Sequence, residues 1–402
     1  MKRFWKKKSK GAPHFKVQNR YYESVSERLG MAQVVIYLLL LAFVVLSLLK
    51  NTNLITYRNL YYFVKDFNAS AEKVDVWNTD SVSYPTDEHQ SFAIYRKGLA
   101  VAGNTSVTVF TATGRQTVSQ SISYRTPTAV GSGKYLLVYD LGGTAYSLYN
   151  SYTQIYAGKT AYPISGGTVS DNGTYAIVSA SDTHNSVVSV YSSNFKEINT
   201  FSKGGYVMDV AIDPKGETIA LVTSTNTSGR FSTELLVCRA ESDQALANVT
   251  CSNSLALSCS FTASGVIGVL CTDGVYTYTE RGALLNSYSF DGDTVAASCV
   301  GADGIAVCLK TLGSAERRTV VVLDGQGALL SRVMADEPVD ALARYESTVF
   351  IQGASGVTAL HAKTGERSFV ACVTDQKTVL AVGLNEILLC SPQKAVYLNF
   401  KF

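Results

Sequence analysis

Hairpins recur along this chain about every forty residues, and that interval limits the fold more than any other feature. One kind is seen in "GVTALHAKTGERSFVACV" from Gly356, where alternating residues break at a turn containing Gly365 and then resume. Copies begin at Ser106, Gly274 and Thr319, and a looser one from Ser186 has Asn194 where glycine is expected. A second kind falls between them: a strand of small residues, a turn ending in glycine, then a strongly apolar strand. "DVAIDPKGETIALVT" from Asp209 and "SCSFTASGVIGVLC" from Ser258 are examples. Its first strands start near residues 91, 128, 168, 207, 255, 295, 339 and 378, with one longer interval where "TSTNTSGRFSTE" reads as an extended loop. Four strands per repeat at this spacing is the period of a β-propeller blade, whereas a two-sheet sandwich has no reason to repeat so. The expected fold is all-β, a β-propeller of eight four-stranded blades, with seven as the alternative.

Residue chemistry agrees with this. A blade packs both sheet faces on its neighbours, so its inner strands should be apolar on both sides. "AIVSA", "IALVT", "VIGVLC" and "IAVCL" have that character. Strands nearest the axis must taper and need small residues, which "VAASCV", "LALSCS" and "VDALA" supply. The last blade, 378–402, holds only three strands. "KVDVWN", Lys73 to Asn78, is expected to provide the fourth and so close the ring.

Charge and hydropathy divide the rest of the chain. The first thirty residues hold nine Lys or Arg and two Glu, a net +7, while the remainder has 26 basic and 30 acidic residues, a net −4. A mildly acidic body argues against nucleic acid as its partner. Met31 to Leu49 is a run of nineteen residues without a charge. As a helix it reaches about 28 Å, close to one hydrocarbon core. It reads as a membrane span lodged in the lipid bilayer, and the cations before it put the N-terminus in the cytoplasm. The expected organisation is a basic cytoplasmic tail 1–30, a transmembrane helix 31–49, an aromatic juxtamembrane stalk 50–72 and an extracytoplasmic propeller 73–402.

"GVTALHAKTGERSF" resembles the repeat of quinoprotein-like propellers, where Ala-Leu-Asp leads into a Lys-Thr-Gly turn, and "VAIDPKGETIALVTS" resembles the first hairpin of WD40-like propellers. The layout of tail, span, stalk and propeller is similar to an uncharacterised family of membrane-anchored bacterial proteins. What the resemblance implies is architecture more than chemistry. Quinoprotein dehydrogenases repeat a Trp after the turn, but here the only Trp residues are Trp5 and Trp77, and position 369 is Phe. The scaffold without a bound cofactor is therefore expected.

Reactive constellations are scarce. Cys238, Cys251, Cys259, Cys271, Cys299, Cys308, Cys372 and Cys390 form no C-x-x-C pair, which weakens a zinc reading. Cys299 and Cys308 sit on adjacent expected strands and could pair, but free buried thiols fit better where small apolar residues are wanted. Beyond the span the histidines are His89, His184 and His361, no G-x-S-x-G elbow occurs, and "DGD" at Asp291 reads as a turn. Asn68, Asn104, Asn172, Asn226 and Asn248 head glycosylation sequons, which chance explains in so Ser- and Thr-rich a chain.

The loops joining second and third strands remain: "SASDTHNSV", "STNTSGRFS" and "TLGSAERRT". They should gather on one face around the channel mouth, with His184, Arg230, Arg317 and Arg318 as the residues best equipped to bind. The expected function is a non-enzymatic binding or scaffolding module for an envelope protein or surface ligand. A degenerate quinoprotein-like oxidoreductase, a hydrolase or a ligand sensor are the alternatives.

Overall fold

The computed structural model describes residues 20–50, 77, 79–311, 313, 317–372 and 378–402. The chain divides into two units, Met1–Lys65 and Asp66–Phe402. In the first, Arg20–Lys50 is one α-helix, and Leu29, Met31 and the described apolar side chains from Val34 to Leu41 are exposed. Among the described residues no helix is long and apolar enough to cross a membrane. The expected span over 31–49 is therefore not shown; its side chains are described only to Ala42 and at Val45. The tail to residue 19 and the stalk from Asn51 to Glu72 lie outside the described residues.

The second unit holds eight four-stranded antiparallel sheets. Seven are single runs of sequence, over 90–121, 127–159, 164–203, 206–252, 256–289, 294–334 and 339–371. The eighth is composite: Thr378–Gly383, Glu386–Cys390 and Lys394–Asn399 are joined at the outer edge by Ser81–Ser83. First strands of neighbouring blades lie against one another around the axis, so the seven continuous sheets run from the channel outward in chain order. This is the eight-bladed propeller that the period implies.

Period two explains how each blade holds both neighbours. In the second blade, Leu136 and Val138 pack with the first blade, while Leu137 and Tyr139 pack with the third. All four are buried. Alternate residues point to opposite faces, and since both faces meet a neighbour the strand reads as one apolar run. Each fully buried Leu or Val contributes about 1.5–3 kcal/mol relative to exposure. The buried apolar residues form eight clusters, each shared by two adjacent blades, and together they run round the ring.

Innermost strands have a free edge toward the axis, and side chains of the preceding blade satisfy some of their N–H groups. Ser91 accepts from Ala129 N–H at 3.0 Å, Ser186 from Val207 N–H at 3.0 Å and Ser224 from Ala256 N–H at 3.1 Å. Hydroxyls serve here because a buried N–H without a partner is costly.

Three expectations need correction. The closing strand is Ser81–Ser83 and not Lys73–Asn78; of the latter only Trp77 is described, and it is buried in the cluster between the eighth and first blades. "TSTNTSGRFSTE" is not a loop, because Thr218–Thr227 and Arg230–Arg239 stay paired to the tip. Ser228 and Gly229 form its two-residue turn, both with positive φ (54° and 81°). In the looser hairpin the left-handed residue is Phe195, at φ 60°, one position after Asn194. Its ring stacks on Tyr156 with centroids 4.7 Å apart, an attraction that offsets part of the backbone cost.

Candidate ligand-binding face

One end of the ring carries the loops between second and third strands together with the links between blades. Its carboxylates are largely occupied by local backbone. Thr105 donates its N–H and hydroxyl to Asp87 at 3.2 and 3.0 Å, and Ser355 does the same to Glu337 at 3.1 and 2.9 Å. Each acid packs closely on a glycine: a Cβ on Gly103 would lie 1.9 Å from the Asp87 carboxylate and one on Gly353 2.2 Å from that of Glu337, so a side chain there would displace the acid. Asp140 accepts from Arg125 and Thr126 N–H at 2.8 Å each, and Asp273 accepts from the hydroxyls of Ser252 and Ser254 at 2.7 and 2.6 Å. These acids tie loops together. Asn104 does similar work, donating to Tyr124 and Arg125 carbonyls at 3.0 and 2.7 Å, so its amide protons are committed.

The four expected binding residues all stand at this end. His184 lies in the loop of the third blade, its Nδ1 2.8 Å from the Thr183 hydroxyl. Arg230 begins the third strand of the fourth blade and is exposed at the hairpin tip. Arg317 and Arg318 belong to the sixth blade, Arg318 half-buried at the start of its third strand. No hydrogen bond joins any two of these four among the described residues.

Sequence reasoning missed their apolar neighbours. Leu141, Tyr206 and Phe231 are exposed large side chains beside the same loops of the second and fourth blades, Tyr206 reaching 61% exposure. Met208 and Leu257, also exposed, sit near this end of the innermost strands of the fourth and fifth blades. No local signal marked them, since apolar residues that directly follow other glycines, Leu99 and Ile305 among them, are buried. Exposed Tyr, Phe and Met beside Arg is the composition enriched in protein interfaces.

The structure also bears on catalysis. Ser347 and His361 meet at 3.1 Å through Oγ and Nε2. A hydrolase base would have to accept the serine proton at Nε2. Here the Thr364 N–H is directed at Nδ1, 3.2 Å away, which makes Nδ1 the acceptor and leaves the proton on Nε2. The imidazole then donates to Ser347 and cannot activate it. All eight cysteines are free thiols. Burial pushes the Cys251 and Cys308 thiols up to about 11 and Cys271 to about 12, which suppresses the reactive thiolate. Asp291, at φ 53° and hydrogen-bonded to Ser289, forms the turn expected of "DGD". Among the described residues no cluster of His, Cys, Asp or Glu could hold a metal ion. Phe369, at the position of the quinoprotein Trp, is exposed on an outermost strand.

No curated protein matches the sequence. Solved structures match the fold at low identity. Sqt1 of Saccharomyces cerevisiae superposes with a TM-score of 0.60 at 12% identity, over 81% of this chain and 100% of that one. Sqt1 of Chaetomium thermophilum, solved bound to the N-terminus of ribosomal protein L10, gives 0.55 at 14% identity over 80% of this chain and 100% of that one. BamB of Moraxella catarrhalis gives 0.53 at 11% identity over 81% and 99%. At these identities the likeness is one of fold. The sequence itself goes further: matching over residues 71–395, the chain belongs to DUF5711, a family of unknown function.

Proposed function

We propose that this chain is a membrane-tethered, extracytoplasmic β-propeller that binds another envelope protein through the loop-bearing face of its second to sixth blades. The observation that carries the reading is the exposed set Leu141, Tyr206 and Phe231, on the face that also holds His184, Arg230, Arg317 and Arg318. Asp87, Asp140, Asp273 and Glu337 on that face are tied into the loops, while these apolar and cationic groups stand exposed or half-buried beside them. The Sqt1 complex with the L10 N-terminus is a precedent for a propeller of this shape holding a protein segment. The tether rests on the uncharged run 31–49 and the +7 tail before it.

A photoreactive amino acid at Phe231 or Tyr206 in the full chain, in intact cells, should yield discrete protein adducts. The same probe at Leu384, an exposed apolar residue at the opposite end of the ring, should not. Equal capture from both ends, or none from Phe231 and Tyr206, would overturn the reading. Alkaline carbonate extraction of the same membranes tests the tether separately, and release of the chain would remove it.

A further inference from the structure

At the opposite end of the ring, three turns from the first two blades enclose a cavity of about 120 Å3. Arg96 comes from the first turn of the first blade, Thr111, Thr113 and Arg115 from its second, and Ser151 from the turn of the second blade. Two guanidinium groups and several hydroxyls line it, and among the described lining residues there is no carboxylate. We propose that this cavity binds a phosphate-type oxyanion, either free or as the terminal group of a larger ester that extends into solvent.

An unusual backbone conformation carries Arg96 to the cavity. Arg96 and Lys97 both lie in the left-handed region, at φ 49° and 59°. A two-residue hairpin turn of this kind favours Asn-Gly, so two long side chains there are an outlier that invites a functional account. Gly98 follows, and its Cβ position lies 2.1 Å from the Phe110 carbonyl oxygen, so the turn is pressed directly on the neighbouring strand. The Arg96 guanidinium carbon is 6.0 Å from the Tyr95 ring centroid, within cation–π range. The Tyr95 hydroxyl donates to Lys134 O at 2.7 Å and lies 3.4 Å from Ser151 Oγ, which couples the two blades at the cavity wall.

Size and chemistry select the ligand class. Cavities for drug-sized molecules run to about 300–1,000 Å3, so this one suits a single headgroup. Guanidinium forks match the paired oxygens of phosphate, and a tetrahedral anion offers further oxygens to the hydroxyls of Thr113 and Ser151, which a carboxylate cannot do at the same time.

Isothermal titration of the full chain in a non-ionic detergent, with inorganic phosphate, phenyl phosphate and acetate in separate arms, tests this. Saturable phosphate binding is expected, weakened at least about tenfold in Arg96→Gln and in Arg115→Gln, the loss expected for one charge-assisted contact. It should be retained in Lys97→Gln, which alters a cation outside the cavity lining. Arg115 is exposed, so its variant reports binding without a threat to folding. Tighter binding of phenyl phosphate would identify an ester as the source, and tighter inorganic phosphate would identify the free ion. No saturable phosphate binding, equal binding of acetate, or unchanged binding in both Arg variants would overturn the proposal.

Discussion

Asp209 stands on the innermost strand of the fourth blade and reaches across to the fifth, where its Oδ2 accepts from Cys259 N–H at 2.9 Å. Its Oδ1 accepts from Val210 N–H at 2.8 Å. Burial raises its carboxyl above the ordinary range, and the two hydrogen bonds pull it only part of the way back. At low pH the group is protonated in both states and costs nothing. As pH rises the unfolded chain ionises first, so folded stability falls from the usual carboxylate pKa near 3.9 up to the raised folded value, then stays lower. Asp209→Asn should flatten that part of the profile, read from urea midpoints between about pH 4 and about pH 8. Parallel profiles for the two proteins would defeat the account. Asp209 was visible in the sequence only as the first residue of a hairpin. Its bracing role depends on a neighbour fifty positions away, and no local pattern encodes that. His361 is similar, because the orientation of its ring is set by the Thr364 backbone, which composition does not reveal.

At the scale of the element, the hairpin turns separate two demands on glycine. Gly327 and Gly365 both have positive φ, at 84° and 75°, in equivalent turns of adjacent blades. A Cβ on Gly365 would meet nothing within 4 Å, whereas one on Gly327 would lie 2.7 Å from Thr277 Oγ1 and 3.2 Å from Asn286 Cβ of the preceding blade. Thr277 cannot easily yield, since its hydroxyl donates to Gln326 O at 2.9 Å and ties the blades together. Gly365→Ala should therefore cost only the left-handed backbone term, about 1–2 kcal/mol. Gly327→Ala should add an overpacking term of about 1–3 kcal/mol. Denaturant midpoints with unchanged m-values would measure both, and equal losses would mean that the turn does not press on its neighbour. The hairpins themselves were legible because Gly turns and apolar runs are local signals. Phe195 in the left-handed position was not, because stacking on Tyr156 accompanies it in place of a glycine, and the paired tip over 218–239 was not, because its strands stay paired after their sequence turns polar.

For the whole molecule the decisive contact is the one that makes the row of blades a ring. Ser81–Ser83 pairs with Lys394–Asn399, bringing Val82 opposite Ala395. Tyr84 N–H donates to Gln393 O at 3.0 Å, and Tyr397 N–H donates to Asp80 O at 2.9 Å. In an antiparallel ladder bonded pairs alternate, so Val82 and Ala395 occupy the bonded position between these two contacts, while Ser83 turns its N–H away from the ladder. The Val82 side chain is buried with Phe92, Leu99 and Leu388, in the cluster that joins the eighth blade to the first. Val82→Pro removes a ladder donor and an apolar contact at the closure, and about 3 kcal/mol or more is at stake. Ser83→Pro places the same ring one residue later, on the edge that needs no donor, and should cost far less. Repetition predicted a closed ring but could not say which upstream residues close it, since any short alternating segment near the first blade would serve. The two proline variants decide the matter: a large loss of denaturant midpoint for Val82→Pro with a small one for Ser83→Pro fixes closure on this strand. Equal, small losses would mean that the ring is held by the eight interblade clusters alone.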